Sequence, residues 1–259
     1  LADGSAWSAR RPPDGLLTIP VEGVLVPRES NVNLCATQTS YESLRAQLVA
    51  GIDDPRVDAL AMVCDSPGGA VTGCFELSAD IAEARKIKPI HAIVYHSAFS
   101  ACYSLASACT DITLSTSAGV GSIGVVMKHA DFSQQLATEG VKVTTIYRGA
   151  RKVDLAPESP LSEDALAVAE ARIEHYYQMF VDTVASNRGL SADVVRATEA
   201  GLFFGEQAVA AGLADRVESQ QQAINRLAAE IAGRRNKPTA APARRATARA
   251  AAMAMATQL

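Results

Sequence analysis

The sequence predicts an α/β protein with a core of mainly parallel strands and helices and a helical arm towards its C-terminus. Three observations carry that expectation. Strand-length apolar runs alternate repeatedly with segments of helical spacing, the pattern of strand-helix-strand crossovers. The run ALAMVC at 59–64 is apolar throughout, as a strand covered on both faces would be. After Asp154 the alternation gives way to a long amphipathic stretch at 161–189.

Residues 1–15 hold Arg10, Arg11, Pro12 and Pro13 and read as an irregular lead-in. GLLTIPVEGVLVP at 15–27 mixes apolar residues with Gly and Pro and predicts one or two short strands. Behind a Ser40 cap, Tyr41, Leu44, Leu48 and Ile52 fall on one helical face. The strand-like VDALAMVC follows, then a helix over 70–86, a strand over 89–96, a helix over 98–109 and a short strand at 112–115. GVGSIGVVMKH (119–129) is a glycine-punctuated β-branched run, ADFSQQLATEG reads as helix, and VKVTTIY (141–147) reads as strand. SADVVRATEA and GEQAVAAG predict short helices after the long one, so the arm covers about 161–211 within a core of 16–218. From 219 to 259 we expect a helix and then a mobile, basic, Ala-rich tail.

A chain of 259 residues buries a sizeable core as one large domain or two small ones. Its 48% hydrophobic and 20% charged content is that of a soluble globular protein. No apolar run reaches the roughly 20 residues that span a bilayer. No charged-then-apolar leader precedes the first strand, although the chain begins with Leu, and a cytoplasmic location is the expectation. Cys35, Cys64, Cys74, Cys102 and Cys109 form no C-x-x-C pair and mostly sit in apolar stretches, as core thiols of a reducing compartment do. His91, His96, His129 and His175 show no metal-ligand spacing with one another or with the cysteines, so no structural metal is expected. The formal charge of −4 conceals a tail with six basic residues (Arg234, Arg235, Lys237, Arg244, Arg245, Arg249) and no acid, which leaves −10 for the rest. Such a tail suits a solvated linker better than a nucleic-acid or acidic-protein contact.

Chemistry concentrates at two strand-to-helix corners. DSPGG (65–69) follows the buried strand and offers free backbone N–H groups beside a pocket, suited to a developing oxyanion. About 30 residues later, SAFSACYSLASA brings Ser100 to the start of a helix. Amides at one corner and a hydroxyl at the other suggest an acyl-transfer site. Each feature has a plainer reading: Pro-Gly-Gly as a turn, Ser100 as a helix cap, Ser122 as a turn residue and Lys152 as a solvated loop lysine.

Together, DSPGG, SAFSACYSLASACTDI, GVGSIGVV, YRGARKVD, FVDTVASNRGLS and GLFFGEQAVAAGLAD resemble the signal peptide peptidase A family of Ser-Lys serine peptidases, in that family's order and spacing over about 16–218. Within it, the soluble phage prohead (capsid-assembly) protease branch is the most similar. The resemblance implies a ClpP/crotonase-like fold and an endopeptidase that cleaves scaffold and capsid proteins in a host cytoplasm, as a homo-oligomer and without a cofactor. It makes Ser100 the nucleophile, Lys152 the general base and Ser122 the group that orients it. The amides of Gly68 and Ala101 become the oxyanion hole, and Gly69 a substrate-binding position. Ser-Ala-Cys-Tyr replaces the Ser-Gly-Gly-Tyr common at the nucleophile, so Ala101 and Cys102 narrow the corner.

A serine hydroxyl needs an adjacent base, and lysine serves only when neutral, so Lys152 is expected in an apolar, water-poor pocket. Oligomerisation through the arm would bury Ile173, Tyr177 and Phe180. Other readings are a signal-peptide-degrading bacterial peptidase, a histidine base (His96 or His129), a crotonase-type acyl-CoA enzyme and a non-catalytic assembly scaffold.

Overall fold

The structure is a computed structural model that describes residues 14–28 and 37–236. The lead-in up to residue 13, Cys35 and the Ala-rich tail from 237 onward lie outside the described residues, and so does most of the tail's expected basic character. Contact clustering divides the chain into two compact units, Leu1–Ile123 with Phe180–Leu259, and Gly124–Met179.

The first unit holds every described strand. β1 (Leu16–Val26) and β2 (Gln38–Ser40) precede α1 (Tyr41–Asp53), β3 (Ala59–Gly69), α2 (Cys74–Ala84), β4 (Ile90–Phe99), α3 (Ala101–Ser107), β5 (Asp111–Leu114) and β6 (Gly119–Gly121). The second unit contributes α4 (Ser133–Thr138), and α5 (Glu163–Arg188) runs from it into the first. α6 (Ala192–Arg196), β7 (Leu202–Phe204), α7 (Glu206–Ala210), β8 (Arg216–Val217) and α8 (Gln220–Arg235) complete the order. The sheet runs β2-β1-β3-β4-β5-β8, with β6 beside β4 and β7 beside β6. All pairs are parallel except β6 with β7, which confirms the α/β expectation.

Burial explains why the inner strands read as unbroken apolar runs. Ala59 to Cys64 of β3 and Ile90 to Val94 of β4 are buried on both faces. α8 lays Ala223, Leu227 and Ile231 on Leu16, Ala59, Ala61 and Ile93, and its start is fixed by a capping box between Ser219 and Gln222. α1 begins where expected: Ser40 accepts from Ser43 N, and Tyr41, Leu44, Leu48 and Ile52 are all buried. Pro20 lacks an N–H, and β1 tolerates it because β2 pairs only with Val24 to Val26, so among the described residues no strand ladders onto the outer edge at Pro20. A polar clamp joins three helices: Asn187 Nδ2 donates to Ser78 Oγ at 3.3 Å and Ser107 Oγ at 3.1 Å, and both hydroxyls donate to Ser104 O.

Several elements differ from expectation for local reasons. The helix over 70–86 starts only at Cys74, because Gly73 has φ of 89° and cannot lie inside a helix. The β-branched run at 119–129 keeps a strand only to Gly121, since Ser122 turns to φ of 54° and gives its N–H to Gly201 O. VKVTTIY forms no strand: it has no ladder partner among the described residues and is exposed at every position, so the alternation in its sequence has no sheet face to cover. Phe180, expected at a subunit contact, is buried within its own chain and packs on Phe75 with ring centroids 6.0 Å apart. Among the described residues, no helix is long and apolar enough to cross a membrane.

Candidate active site

β3 continues through the whole of DSPGG, so this segment is an irregular strand end and not a helix entrance; α2 begins five residues later, at Cys74. Its pairing slips on both sides, between Glu22 and Val24 towards β1 and between Cys64 and Ser66 towards β4. Such bulges turn side chains and amides away from the ladder and are common next to active sites. Asp65 closes the slip towards β4, taking His96 Nδ1 and the Ser97 hydroxyl at 3.1 Å each. Ser66 closes the other. It is fully buried, donates its hydroxyl to Gly23 O at 2.6 Å and accepts the Gly68 N–H at 3.1 Å.

Ser100 stands at the turn from β4 into α3 with φ of 51° and ψ of −124°, a conformation that a non-glycine residue adopts only under strain. Its backbone is over-determined: the N–H goes to Gly121 O at 2.9 Å and the carbonyl receives Ser104 N at 3.1 Å. Although Ser100 occupies the N-cap position, its side chain makes no capping hydrogen bond, so the plain helix-cap role is not the one it plays. A strained strand-to-helix serine with an uncommitted hydroxyl is the geometry of a nucleophile elbow. Gly68 makes the elbow possible, because a Cβ there would lie 2.6 Å from Ser100 Cβ and 3.0 Å from Ala101 N.

The structure therefore brings Ser100, Ala101, Gly68 and Gly69 to one corner. Ser122 joins through the adjoining chain, directly after the Gly121 whose carbonyl holds Ser100. The Gly68 amide is committed to Ser66 Oγ on the side facing β1. Ala70 N donates to Leu25 O of β1 at 2.9 Å, so the planar Gly69–Ala70 peptide directs the Gly69 carbonyl away from β1. In an extended residue the N–H follows its own carbonyl, which turns the Gly69 amide towards the edge carrying β4. Cys102 is fully buried, and its hydrogen bond to Cys64, together with burial, pushes its thiol well above the usual range. Burial likewise raises Cys74 to about 11, so both thiols are inert fillers.

Lys152 belongs to the other unit. It follows the Gly149 turn, where its N–H donates to Gly149 O, and it is exposed. With Arg151, Asp154 and Arg172, and with the apolar Leu155, Val168 and Ala169, it lines a cavity of about 220 Å³. The expectation of an apolar, water-poor pocket is not met in the single chain, because this turn is rich in charge and Arg151 reaches Asp154 and Asp164 at 3.6 and 3.7 Å. The histidines are otherwise engaged: His91 is buried on Asp111, His129 Nε2 lies 3.3 Å from Ala156 O, and His96 holds Asp65 while 65% exposed. Ser66, Asp65 and Gly121 are the site residues the sequence did not single out; two of them lay in plain view inside DSPGG.

The model of peptidase family S49 matches residues 82–233, more than half of the chain; the match takes in the Ser100 corner and begins after DSPGG. The chain belongs to peptidase family S49. Among its S49-type relatives, capsid assembly protease C of Escherichia phage lambda is 37% identical over 211 residues, 82% of this chain and 48% of the relative. The head-tail preconnector protein GP5 of Enterobacteria phage P21 is 35% identical over 84% of this chain and 44% of its own. The chain thus spans about half the length of these relatives. A putative signal peptide peptidase SppA of Enterococcus faecium is 26% identical over 83% of this chain and 63% of its own length. The stomatin-specific protease 1510-N, solved with a substrate peptide, aligns with a TM-score of 0.54 at 14% identity over 81% of this chain and 78% of that one. That likeness establishes the fold, a ClpP/crotonase-like α/β core, in agreement with the sheet described above.

Proposed function

We propose that this S49 chain is the peptidase part of a phage capsid-assembly protease, a serine endopeptidase acting on scaffold and capsid proteins in the host cytoplasm. The single observation that carries the reading is the strained Ser100 elbow, its hydroxyl uncommitted and its Cβ packed against Gly68. Ser100 Oγ attacks the scissile carbonyl while neutral Lys152 takes its proton, and Ser122 orients the amine. The Ala101 amide and the Gly69 amide stabilise the oxyanion; Gly68, whose amide is held by Ser66, supplies the close backbone approach instead. Lys152 then returns the proton to the leaving amine, and water resolves the acyl-enzyme through the same base.

A neutral lysine requires exclusion of water, and Lys152 is exposed in one chain. A second copy of the chain is the cover we propose. The segment 141–147 supports it: Val141, Val143, Ile146 and Tyr147 are all exposed and without a strand partner among the described residues. The phage reading is favoured over the signal-peptide reading by identity, 35–37% against 26% over similar lengths.

The test is co-expression with phage scaffold and capsid proteins, followed by mass spectrometry of all chains. Cleaved head proteins with the wild type and intact ones with Ser100→Ala support the proposal. Identical products in both would leave a scaffold role, and turnover of an acyl-CoA in place of peptide would leave a crotonase role.

A further inference from the structure

We infer that Ser66 is a positioning residue of the oxyanion corner, an inference that rests on the peptidase reading above. Three observations meet at this hydroxyl. Ser66 is fully buried, so its hydroxyl has only protein partners. It donates to Gly23 O and accepts from Gly68 N, and so bridges the place where the β1 register slips between Glu22 and Val24. Between its own position and Gly68 stands Pro67, which has no N–H, so the bond to Ser66 is the one that fixes the amide plane entering Gly68.

The consequence passes along the chain by covalent geometry. Gly68 has φ of 102°, a conformation glycine can leave at little cost, and nothing in its side chain holds it there. The Ser66 bond tethers its N–H towards β1, and the Leu25–Ala70 bond tethers the following turn of the strand. Pinned at both ends, the Gly68–Gly69 peptide presents the Gly69 N–H to the Ser100 edge in a single orientation. Without Ser66 one pin is lost, and the donor wanders at the moment charge develops. Ground-state binding of a peptide does not use that donor as strongly as the tetrahedral intermediate does, so the loss falls on kcat.

The experiment compares wild type, Ser66→Ala and Ser66→Cys as full chains, under reductant, for peptide hydrolysis and for inhibition by a peptide aldehyde. Ser100 Oγ adds to the aldehyde carbon and its proton passes to the base, leaving an oxyanion on the former carbonyl oxygen in the place where the intermediate carries one. Ser66→Ala should lower kcat about 10- to 100-fold with KM within about twofold, and weaken the aldehyde by a similar factor. Ser66→Cys fills the same space with a poor hydrogen-bonding group and should show the same split, and it decides the matter if the alanine variant fails to fold. A folded variant with unchanged kcat and aldehyde affinity, or one in which KM alone rises, would overturn the role of Ser66 while leaving the peptidase reading intact. A wild type without Ser100-dependent cleavage would overturn the peptidase reading itself, and Ser66 with it.

Discussion

Gly68 and Ser100 are so close that a methyl group on the first would lie 2.6 Å from Cβ of the second, with Phe99 O at 2.8 Å and Ala101 N at 3.0 Å on either side. The obstacles are backbone and Cβ atoms of a turn that is hydrogen-bonded at both ends, so they cannot swing aside as a flexible side chain would. The end of strand β3 and the start of helix α3 are thereby held in close backbone contact.

Gly68→Ala should accordingly be among the most damaging small substitutions in the chain. It adds a Cβ at φ of 102° and a clash with the nucleophile turn. We expect a stability loss of about 1–3 kcal/mol from the backbone conformation alone. Peptidase activity should fall on the order of 100-fold or more, as when an oxyanion donor is lost. Thermal unfolding and peptide turnover measured on the same sample check both, and near-normal turnover would show that the corner does not form part of the site.

The base is separated from its rival by two variants. Lys152→Ala should abolish hydrolysis, whereas His96→Ala should leave it largely intact, because His96 is exposed and already held by Asp65. The exposed Asp65–His96 pair contributes little to stability, within about 1 kcal/mol. In wild type, kcat/KM should keep rising with pH as a lysine base loses its proton, rather than level off near neutrality as it would for an imidazole. Loss of activity in His96→Ala with retention in Lys152→Ala would reverse the assignment.

Acid sensitivity is expected at the edge of the sheet that carries Asp111. Burial alone would raise its carboxyl, but the His91 hydrogen bond and charge and the guanidinium groups of Arg226 and Arg216 outweigh that and hold it below the usual value. A depressed folded pKa means the group stabilises fully above its unfolded value, near 3.9, and that this stabilisation is lost as pH falls through the folded one. Unfolding midpoints should therefore drop below about pH 4 in wild type. In Asp111→Asn the drop should be smaller; equal slopes in both would assign the acid transition to other carboxylates.

Association is checked through the unpartnered segment. Ile146 is 87% exposed, and Ile146→Glu puts a charge where a second copy is proposed to sit. Light scattering at tens of micromolar should show an oligomer for wild type and smaller species, with lower turnover, for the variant. A fully active wild-type monomer would remove the second copy from the account.

The core and the Ser100 corner were legible in the sequence because their signals are local. ALAMVC is a buried strand whatever surrounds it, Tyr41, Leu44, Leu48 and Ile52 define a helix face by themselves, and DSPGG and FSACY each announce a corner. What failed depended on partners distant in sequence or absent from one chain. VKVTTIY has a strand's pattern without a ladder, Phe180 found its neighbour in Phe75 rather than in another subunit, and Lys152 lies exposed where a buried base was expected. The direction of the Gly68 amide was unreadable for a further reason: it is set by a hydrogen bond to Ser66 that bridges a register slip, and no residue pattern encodes a slip.

The central claim is that Ser100 is a nucleophile activated by Lys152. Covalent labelling with a fluorophosphonate, mapped to a residue by peptide mass spectrometry, tests it most directly. The account predicts a single adduct on Ser100 in wild type, none in Ser100→Ala and a greatly slowed adduct in Lys152→Ala with its fold intact. Label on another serine, or labelling of Ser100 at an unchanged rate without Lys152, would contradict it.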